Sequence, residues 1–149
     1  MAVFDPRNFG TRLQTVKLPT STSNSLLFED VDTGLLLVAG KGDGNISFFE
    51  FEDGVVHYLT EYKSNAPQNG LALLPKKSCN LSACEVIRVV KLSGTKVEPI
   101  RIEVPRSESS FFQEDLYPDT WDLQPTTTAG EWASGANVPR NVVSLNPGN

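Results

Sequence analysis

The residues that most suggest chemistry lie in one short stretch, residues 40–44, with the sequence GKGDG. A glycine-spaced loop binds phosphate when it ends in Gly-Lys-Ser/Thr and opens a helix whose N-terminus faces the phosphate. Here Lys41 is followed by glycine, and residues 46–51 are β-branched and aromatic strand formers. The pattern therefore favours a tight turn between two strands, because glycine, aspartate and asparagine suit such turns. The structural residues of this turn are predicted to be Gly42, Asp43 and Gly44.

The other residue types that carry catalysis are sparse. The single histidine, His57, has no Gly-x-Ser-x-Gly nucleophile elbow to accompany it. Cys79 and Cys84 are too few to complete a zinc set with one distant histidine, and they are interpreted as reduced, partly buried thiols. The sequence therefore predicts a protein that is not an enzyme and that has no metal and no cofactor.

Acidic residues are frequent in the C-terminal third of the chain. Their spacing matches no calcium-binding loop, because the central glycine and the terminal bidentate glutamate are missing. We interpret them as a solvated acidic surface in which some carboxylates cap backbone amides. These residues are Glu108, Glu114, Asp115, Asp119 and Asp122.

Composition limits the class of protein. The chain has 149 residues, 39% of them hydrophobic, and a formal net charge of -5, with no basic run longer than Lys76-Lys77. Such a charge disfavours a nucleic-acid partner. There is no signal-peptide pattern and no apolar window of about 18 residues, so the sequence predicts a soluble intracellular protein.

Short strands separated by turn residues account for most of the chain, and little helix is expected. Residues 1–7 resemble the end of a strand, and residues 55–62 alternate between apolar and polar. Pro99 favours an edge position or a bulge for its strand. The further predicted strands are 11–18, 26–28, 35–39, 46–51, 70–74, 85–92, 97–104 and 141–145.

Similar strand ends recur around Phe4, Phe51 and Val104, at intervals of about 50 residues. Four short strands per repeat at such a period are typical of a β-propeller, in which each four-stranded blade needs neighbours to bury both faces. We therefore predict an all-β fold, a partial WD40-type propeller of about two blades, over residues 1–106. The strand that would complete the last blade is missing, which leaves an exposed edge.

Residues 107–149 lack this repeat and are predicted to form a C-terminal extension packed on the propeller. A capping box at Thr128 and Glu131, with Gly135 as the stop, predicts one short helix. Aromatic residues in the extension are expected to be structural, although aromatic side chains also anchor partners. They are Phe111, Phe112, Tyr117, Trp121 and Trp132.

Several motifs in order resemble the C-terminal part of the coronin propeller: LLLVAGKGDGNISFFEF, PQNGLALLPKK, CEVIRVVKL, VEPIRIEVPR and FFQEDLYPDT. The resemblance covers nearly the whole chain, and its ending, WASGANVPRNVVSLNP, is closer to the tandem-propeller coronins than to the coiled-coil ones. Coronins are actin-filament-binding proteins with a seven-bladed propeller, whose last blade is completed by an N-terminal strand.

The resemblance implies a non-enzymatic scaffold that binds actin filaments and regulates the actin cytoskeleton in the cytoplasm. The alternative is a propeller module that recognises protein partners in vesicle or Golgi trafficking without contacting actin. The basic surface that coronins use on actin belongs to earlier blades, so no actin-binding residue is transferred. Exposed candidates for partner binding in this chain are Lys41, Lys76 and Lys77.

Overall fold

The computed structural model describes residues 1–21, 23–108 and 110–148, and most of its regular structure is antiparallel β-sheet. The strands are β1 (Ala2–Asp5), β2 (Asn8–Thr15), β3 (Ser25–Asp30), β4 (Leu35–Gly40), β5 (Ile46–Glu52), β6 (Val55–Tyr62), β7 (Gly70–Leu73), β8 (Glu85–Ser93), β9 (Lys96–Glu103), β10 (Thr120–Trp121) and β11 (Val142–Val143). Two 3₁₀ turns, Lys76–Ser78 and Leu81–Ala83, and one helix, α1 (Ala129–Ala133), complete the described elements.

The central unit is a four-stranded sheet in the order β3-β4-β5-β6. Its strands follow one another along the chain, because tight turns join them, as the turn residues of the sequence predict. Leu37 in β4 pairs with Phe28 in β3 and with Phe48 in β5. β4 and β5 are the most buried strands, since the sheet is covered on both faces.

The next sheet has three strands in the order β7-β8-β9, and no fourth strand pairs with β9 in the part of the chain that the structure describes. Pro99 lies opposite Val90, in the middle of β9. Proline is tolerated in a sheet where its missing N–H would have pointed away from the neighbouring strand. β9 is therefore an edge strand, as its proline predicts.

Two smaller sheets flank these units. β1 pairs with β2, and β10 pairs with β11 through Thr120 opposite Val143. The strand predicted over residues 11–18 begins earlier, at Asn8, because β2 continues directly from the turn after β1. β10 was not predicted, since a two-residue strand leaves no periodic pattern.

The hydrophobic core lies between the sheets. The larger cluster joins the four-stranded and three-stranded sheets to the extension, and it includes Leu37, Phe48, Val89 and Tyr117. A smaller cluster of Val38, Phe49 and Val56 packs against the strand pair β1-β2. The four-stranded sheet thus packs against neighbours on both faces, as a blade inside a propeller does.

The GKGDG stretch is the turn between β4 and β5, and its glycines serve two purposes. Gly42 has a φ of +90°, which favours glycine. Gly44 is required for space, because a Cβ atom there would lie 1.8 Å from the carbonyl oxygen of Ser64. Asp43 acts in the turn through its backbone: its N–H donates to Gly40 O (3.1 Å) and its carbonyl accepts from the N–H of Gln68 (2.8 Å).

Two of the aromatic residues that were expected to be buried and structural are exposed. Trp132 is 74% exposed and Phe111 is 73% exposed. Trp132 lies in α1, a five-residue helix in which no residue is buried. The helix itself forms as predicted: Thr128 and Glu131 make the capping box, and Gly135 follows with a φ of +91°.

Candidate functional site

The loops fall into two sets at opposite ends of the sheets, because each sheet is an antiparallel meander. We call one the turn end; it holds residues 41–45, 63–69 and 94–95. The other is the extension end; it holds residues 31–34, 53–54 and 74–84, and the C-terminal extension packs against it. These two ends are the surfaces on which a propeller presents its loops.

At the turn end, a buried glutamine joins the two large sheets. The side-chain amide of Gln68 donates to Gly40 O (2.9 Å) and Asn45 O (2.8 Å), which holds both sides of the β4-β5 turn. Lys41 remains exposed on this turn. The geometry leaves Lys41 accessible to a partner, and the turn beneath it is rigid.

A second buried side chain at this end is Lys91. Its ammonium donates to Ala66 O (2.6 Å) and lies 5.9 Å from the centre of the Tyr62 ring. Burial lowers the pKa of Lys91, because the charged form loses its hydration. Neither Lys91, within β8, nor Gln68, just before β7, was predicted, because the sequence around a single polar residue does not indicate which neighbour it will bond.

At the extension end, Lys76 is not the exposed residue that the sequence analysis expected. It is 8% exposed, and its ammonium forms an ion pair with Asp30 and donates to Val86 O (2.6 Å). Its position follows from the 3₁₀ turn after Pro75, which turns one lysine of the pair towards the neighbouring sheet. Lys76 is therefore an internal link between β3 and the second sheet.

The adjacent Lys77 faces outward, as expected. Its ammonium lies 2.9 Å from a carboxylate oxygen of Asp122 in the extension. Both side chains are partly exposed, so this ion pair is accessible to solvent and to a partner. Of the three predicted lysine candidates, Lys41 and Lys77 are exposed at opposite ends of the sheets, and the structure does not bring them together.

The extension is anchored by Tyr117. This residue is buried, its hydroxyl donates to Glu85 O (3.2 Å), and its ring stacks on Phe112 with 5.4 Å between ring centres. Burial raises the pKa of Tyr117 to about 12. Thr120 adds a hydrogen bond from its hydroxyl to Asp32 (2.6 Å). Tyr117 and Phe112 therefore pack in the larger core cluster, between the extension and the two large sheets.

Trp121 is half-buried and carries the guanidinium of Arg140, which lies 3.4 Å from the ring centre. Since β10 pairs with β11, this contact joins the two parts of the extension on either side of α1. A planar guanidinium stacks favourably on an aromatic face. Trp121 therefore contacts Arg140 within the extension, and it also lines a pocket with residues of β3 and β7.

A buried carboxylate lies beneath the extension. Glu85 accepts two hydrogen bonds from Arg88, at 2.7 Å and 2.5 Å, and one from the N–H of Asn80 at 2.6 Å. The hydrogen bond from Arg88 is the main reason that the pKa of Glu85 lies below its ordinary value. A register shift between Glu85 and Ile87 lets two residues three apart in a strand meet on one side.

A groove with a volume of about 420 Å³ lies between the two large sheets and the extension. We call it the acidic groove. Its floor is apolar, with Leu35, Val86, Val104 and Leu116. Its rim carries four carboxylates, those of Asp32, Glu50, Glu114 and Asp115.

Across residues 1–21, 23–108 and 110–148, no three histidine, cysteine, aspartate or glutamate side chains are placed to hold a metal ion together. The same residues include no helix that is long and apolar enough to cross a membrane. Exposed loops on a rigid sheet framework are typical of a protein-interaction surface.

Comparison with known proteins points to one family. Residues 97–140 match a family model described as a type of WD40 repeat. The chain is 43% identical to Coronin-A of Dictyostelium discoideum over 145 residues, which cover 96% of this chain and 32% of that protein. It is 44% identical to Coronin-2A of Homo sapiens over 152 residues, which cover 99% of this chain and 29% of that protein.

A more distant relative and a solved structure agree. The chain is 40% identical to the coronin-like protein crn1 of Schizosaccharomyces pombe, over 97% of this chain and 24% of that protein. The crystal structure of the WD40 domain from Toxoplasma gondii coronin superposes with a TM-score of 0.90 at 30% identity, over 98% of this chain and 38% of that one. The chain thus spans about a third or less of the curated relatives it matches.

Proposed function

Because this chain belongs to the coronin family, we propose that it is the C-terminal propeller segment of a non-enzymatic scaffold that binds actin filaments and regulates the actin cytoskeleton. The observation that carries the proposal is the similarity to coronins along nearly the whole chain, together with the shared fold. The scaffold acts in the cytoplasm, where actin filaments lie.

The way in which the chain uses its polar residues supports a scaffold. Gln68 and Lys76, which lie on either side of β7, are buried, and each donates a hydrogen bond to the four-stranded sheet. Buried polar contacts of this kind fix a single arrangement of the blades, because each donor is bonded to a particular acceptor. A rigid arrangement is what a surface formed jointly by several blades requires.

The open edge of β9 supports the place of this segment at the end of a propeller. The N–H of Asn69 donates to Leu92 O (2.7 Å) and that of Leu74 donates to Arg88 O (2.9 Å), so these carbonyls of β8 face β7. Their partners in β9, Val97 and Arg101, therefore direct their own N–H groups outward. In the complete protein a further strand pairs with this edge and closes the blade.

Actin co-sedimentation of the complete protein tests the proposed function. The complete protein is expected to pellet with actin filaments and to saturate as filaments are added. The 149-residue chain alone is the matched control and is expected to stay in the supernatant, because it carries only part of the propeller surface. A complete protein that shows no saturable pelleting contradicts the proposal.

A further inference from the structure

The acidic groove offers a binding site that is separate from any actin-binding surface of the missing blades. Its lining comes from β4, β5, β8, the segment after β9 and the extension, all within this chain. The strand pair β1-β2 packs on the other face of the four-stranded sheet, against Phe49 and Val56. Leu35 packs instead with the larger core cluster and pairs with Glu50, so the groove lies on the opposite face of this sheet.

The floor of the groove suits an aliphatic chain. Leu35, Val86, Val104 and Leu116 present carbon surfaces from both sheets and from the extension. The volume of about 420 Å³ lies within the range of about 300 to 1,000 Å³ that is usual for ligand sites. The groove is therefore large enough to take a long side chain and part of the peptide that carries it.

The rim of the groove carries negative charge that this chain does not neutralise. Asp115 pairs with Arg106. Among the described residues, Asp32 accepts a hydrogen bond from the neutral hydroxyl of Thr120 and forms no ion pair. Glu50 and Glu114 have no ion-pair partner among the described residues. Three carboxylates around the groove thus lack a cation.

The arrangement of these carboxylates indicates which kind of cation the groove would bind. They do not form a cluster that would hold a metal ion, as judged over the described residues. An arginine side chain fits both features, because its methylene stem covers apolar surface while its planar guanidinium donates to several separated carboxylate oxygens. An apolar floor beneath a carboxylate rim is the complement of such a side chain.

We propose that the acidic groove binds an arginine-bearing extended peptide segment of a partner protein, with the arginine stem on the apolar floor and its guanidinium bonded to Glu50 and Glu114. These two glutamates lie on separate elements, β5 and the extension. The peptide therefore bridges the propeller and its extension.

The test uses the complete protein and fluorescein-labelled peptides followed by fluorescence anisotropy at low salt. The first peptide is Ala-Val-Ala-Arg-Ala-Val-Ala; in the second, citrulline replaces arginine, which removes the charge and keeps the shape. The arginine peptide is expected to bind saturably, and the citrulline peptide about tenfold or more weakly. Glu50→Gln and Glu114→Gln are each expected to weaken binding of the arginine peptide, and the double variant is expected to weaken it by about tenfold or more.

Glu108→Gln is the matched control, because Glu108 is an exposed glutamate of the extension that does not line the groove. It should bind the arginine peptide as the unaltered protein does. Circular dichroism of the double variant shows whether the fold is retained, and Glu50→Asp keeps the charge and should retain most of the binding. The proposal is overturned if the arginine peptide does not saturate, if citrulline binds equally well, or if Glu108→Gln weakens binding as much as the groove variants do.

Discussion

Replacing Lys76 by methionine should destabilise the protein strongly, although Lys76 was expected from the sequence to be a surface residue. The substitution keeps the length of the side chain and removes the ammonium that pairs with Asp30 and donates to Val86 O. The side chains of Lys76 and Asp30 are only 5% and 12% exposed. Water can therefore replace few of the interactions that the Lys76 ammonium makes.

The expected loss of stability in Lys76→Met follows from the interactions that Asp30 keeps. Removing one member of a buried ion pair costs about 3 to 5 kcal/mol, because the other charge is left without compensation. Asp30 retains one hydrogen bond, from the hydroxyl of Thr33 at 2.6 Å, and it has some contact with solvent. Lys76→Met should therefore lower the free energy of unfolding by about 3 kcal/mol, near the lower end of this range.

Urea unfolding followed by circular dichroism measures this loss, and the neighbouring lysine supplies the control. Lys77→Met removes the same charge from the same 3₁₀ turn, but the side chain of Lys77 is 42% exposed and pairs with Asp122 in contact with solvent. Exposed ion pairs contribute about 0 to 1 kcal/mol. Lys77→Met should thus change the free energy of unfolding by less than about 1 kcal/mol.

The double variant Asp30→Leu with Lys76→Met completes the experiment. Replacing both members of a buried pair by apolar residues is often neutral or stabilising, so the double variant should recover much of the stability lost by Lys76→Met. If Lys76→Met costs no more than Lys77→Met, or if the double variant is less stable than the sum of the two single changes, the buried ion pair does not stabilise the junction as described.

Three further predictions concern other parts of the chain. Gly44→Ala should lower the free energy of unfolding by about 3 kcal/mol or more, because its Cβ would clash with a backbone oxygen. Gly42→Ala should cost less, about 1 to 2 kcal/mol, from its positive φ alone. Equal melting temperatures for the two variants would contradict this difference. Trp132→Ala in the 149-residue chain should change the free energy of unfolding by less than about 0.5 kcal/mol. Phe112→Ala removes a half-buried ring that stacks on Tyr117, and it should lower the free energy of unfolding, measured by chemical denaturation, by about 2 kcal/mol or more. Folding lowers the pKa of Glu85 from its ordinary value of 4.5, so ionised Glu85 stabilises the fold above that pH, and this stabilisation is lost as the pH falls through the folded-state pKa. Glu85→Gln should therefore make the free energy of unfolding depend less steeply on pH on the acid side. An unchanged slope would show that Glu85 does not contribute in this way.

The strands were predictable from the sequence because their signals are local. Residues 35–39 are continuously apolar, residues 46–51 are rich in β-branched and aromatic residues, and the turn between them is rich in glycine. Pro99 indicated an edge strand, and β9 is one. The capping box at Thr128 also depends only on neighbouring residues, so its helix was predicted correctly.

The contacts between sheets were not predictable, because they depend on residues far apart in the chain. Lys76 and Lys77 are identical in type and adjacent, yet one is buried against β3 and the other faces the extension. Only the partner, Asp30, distinguishes them, and it lies 46 residues away. Gln68 and Lys91 were missed for the same reason.

The aromatic residues of the extension show a similar limit. Tyr117 is 4% exposed and Trp132 is 74% exposed, although both were expected to be buried. An apolar ring signals a tendency to be covered, but burial also requires a neighbouring surface within reach. Tyr117 lies against the second sheet, whereas Trp132 projects from a single helical turn.

Electron cryomicroscopy of actin filaments decorated with the complete protein tests the central claim most directly. The account predicts periodic density for a seven-bladed propeller on the filament, in which this chain forms the last two blades and a further strand pairs with the open edge of β9. Undecorated filaments, or bound density that lacks this propeller, would contradict the claim that the chain is part of an actin-binding coronin scaffold.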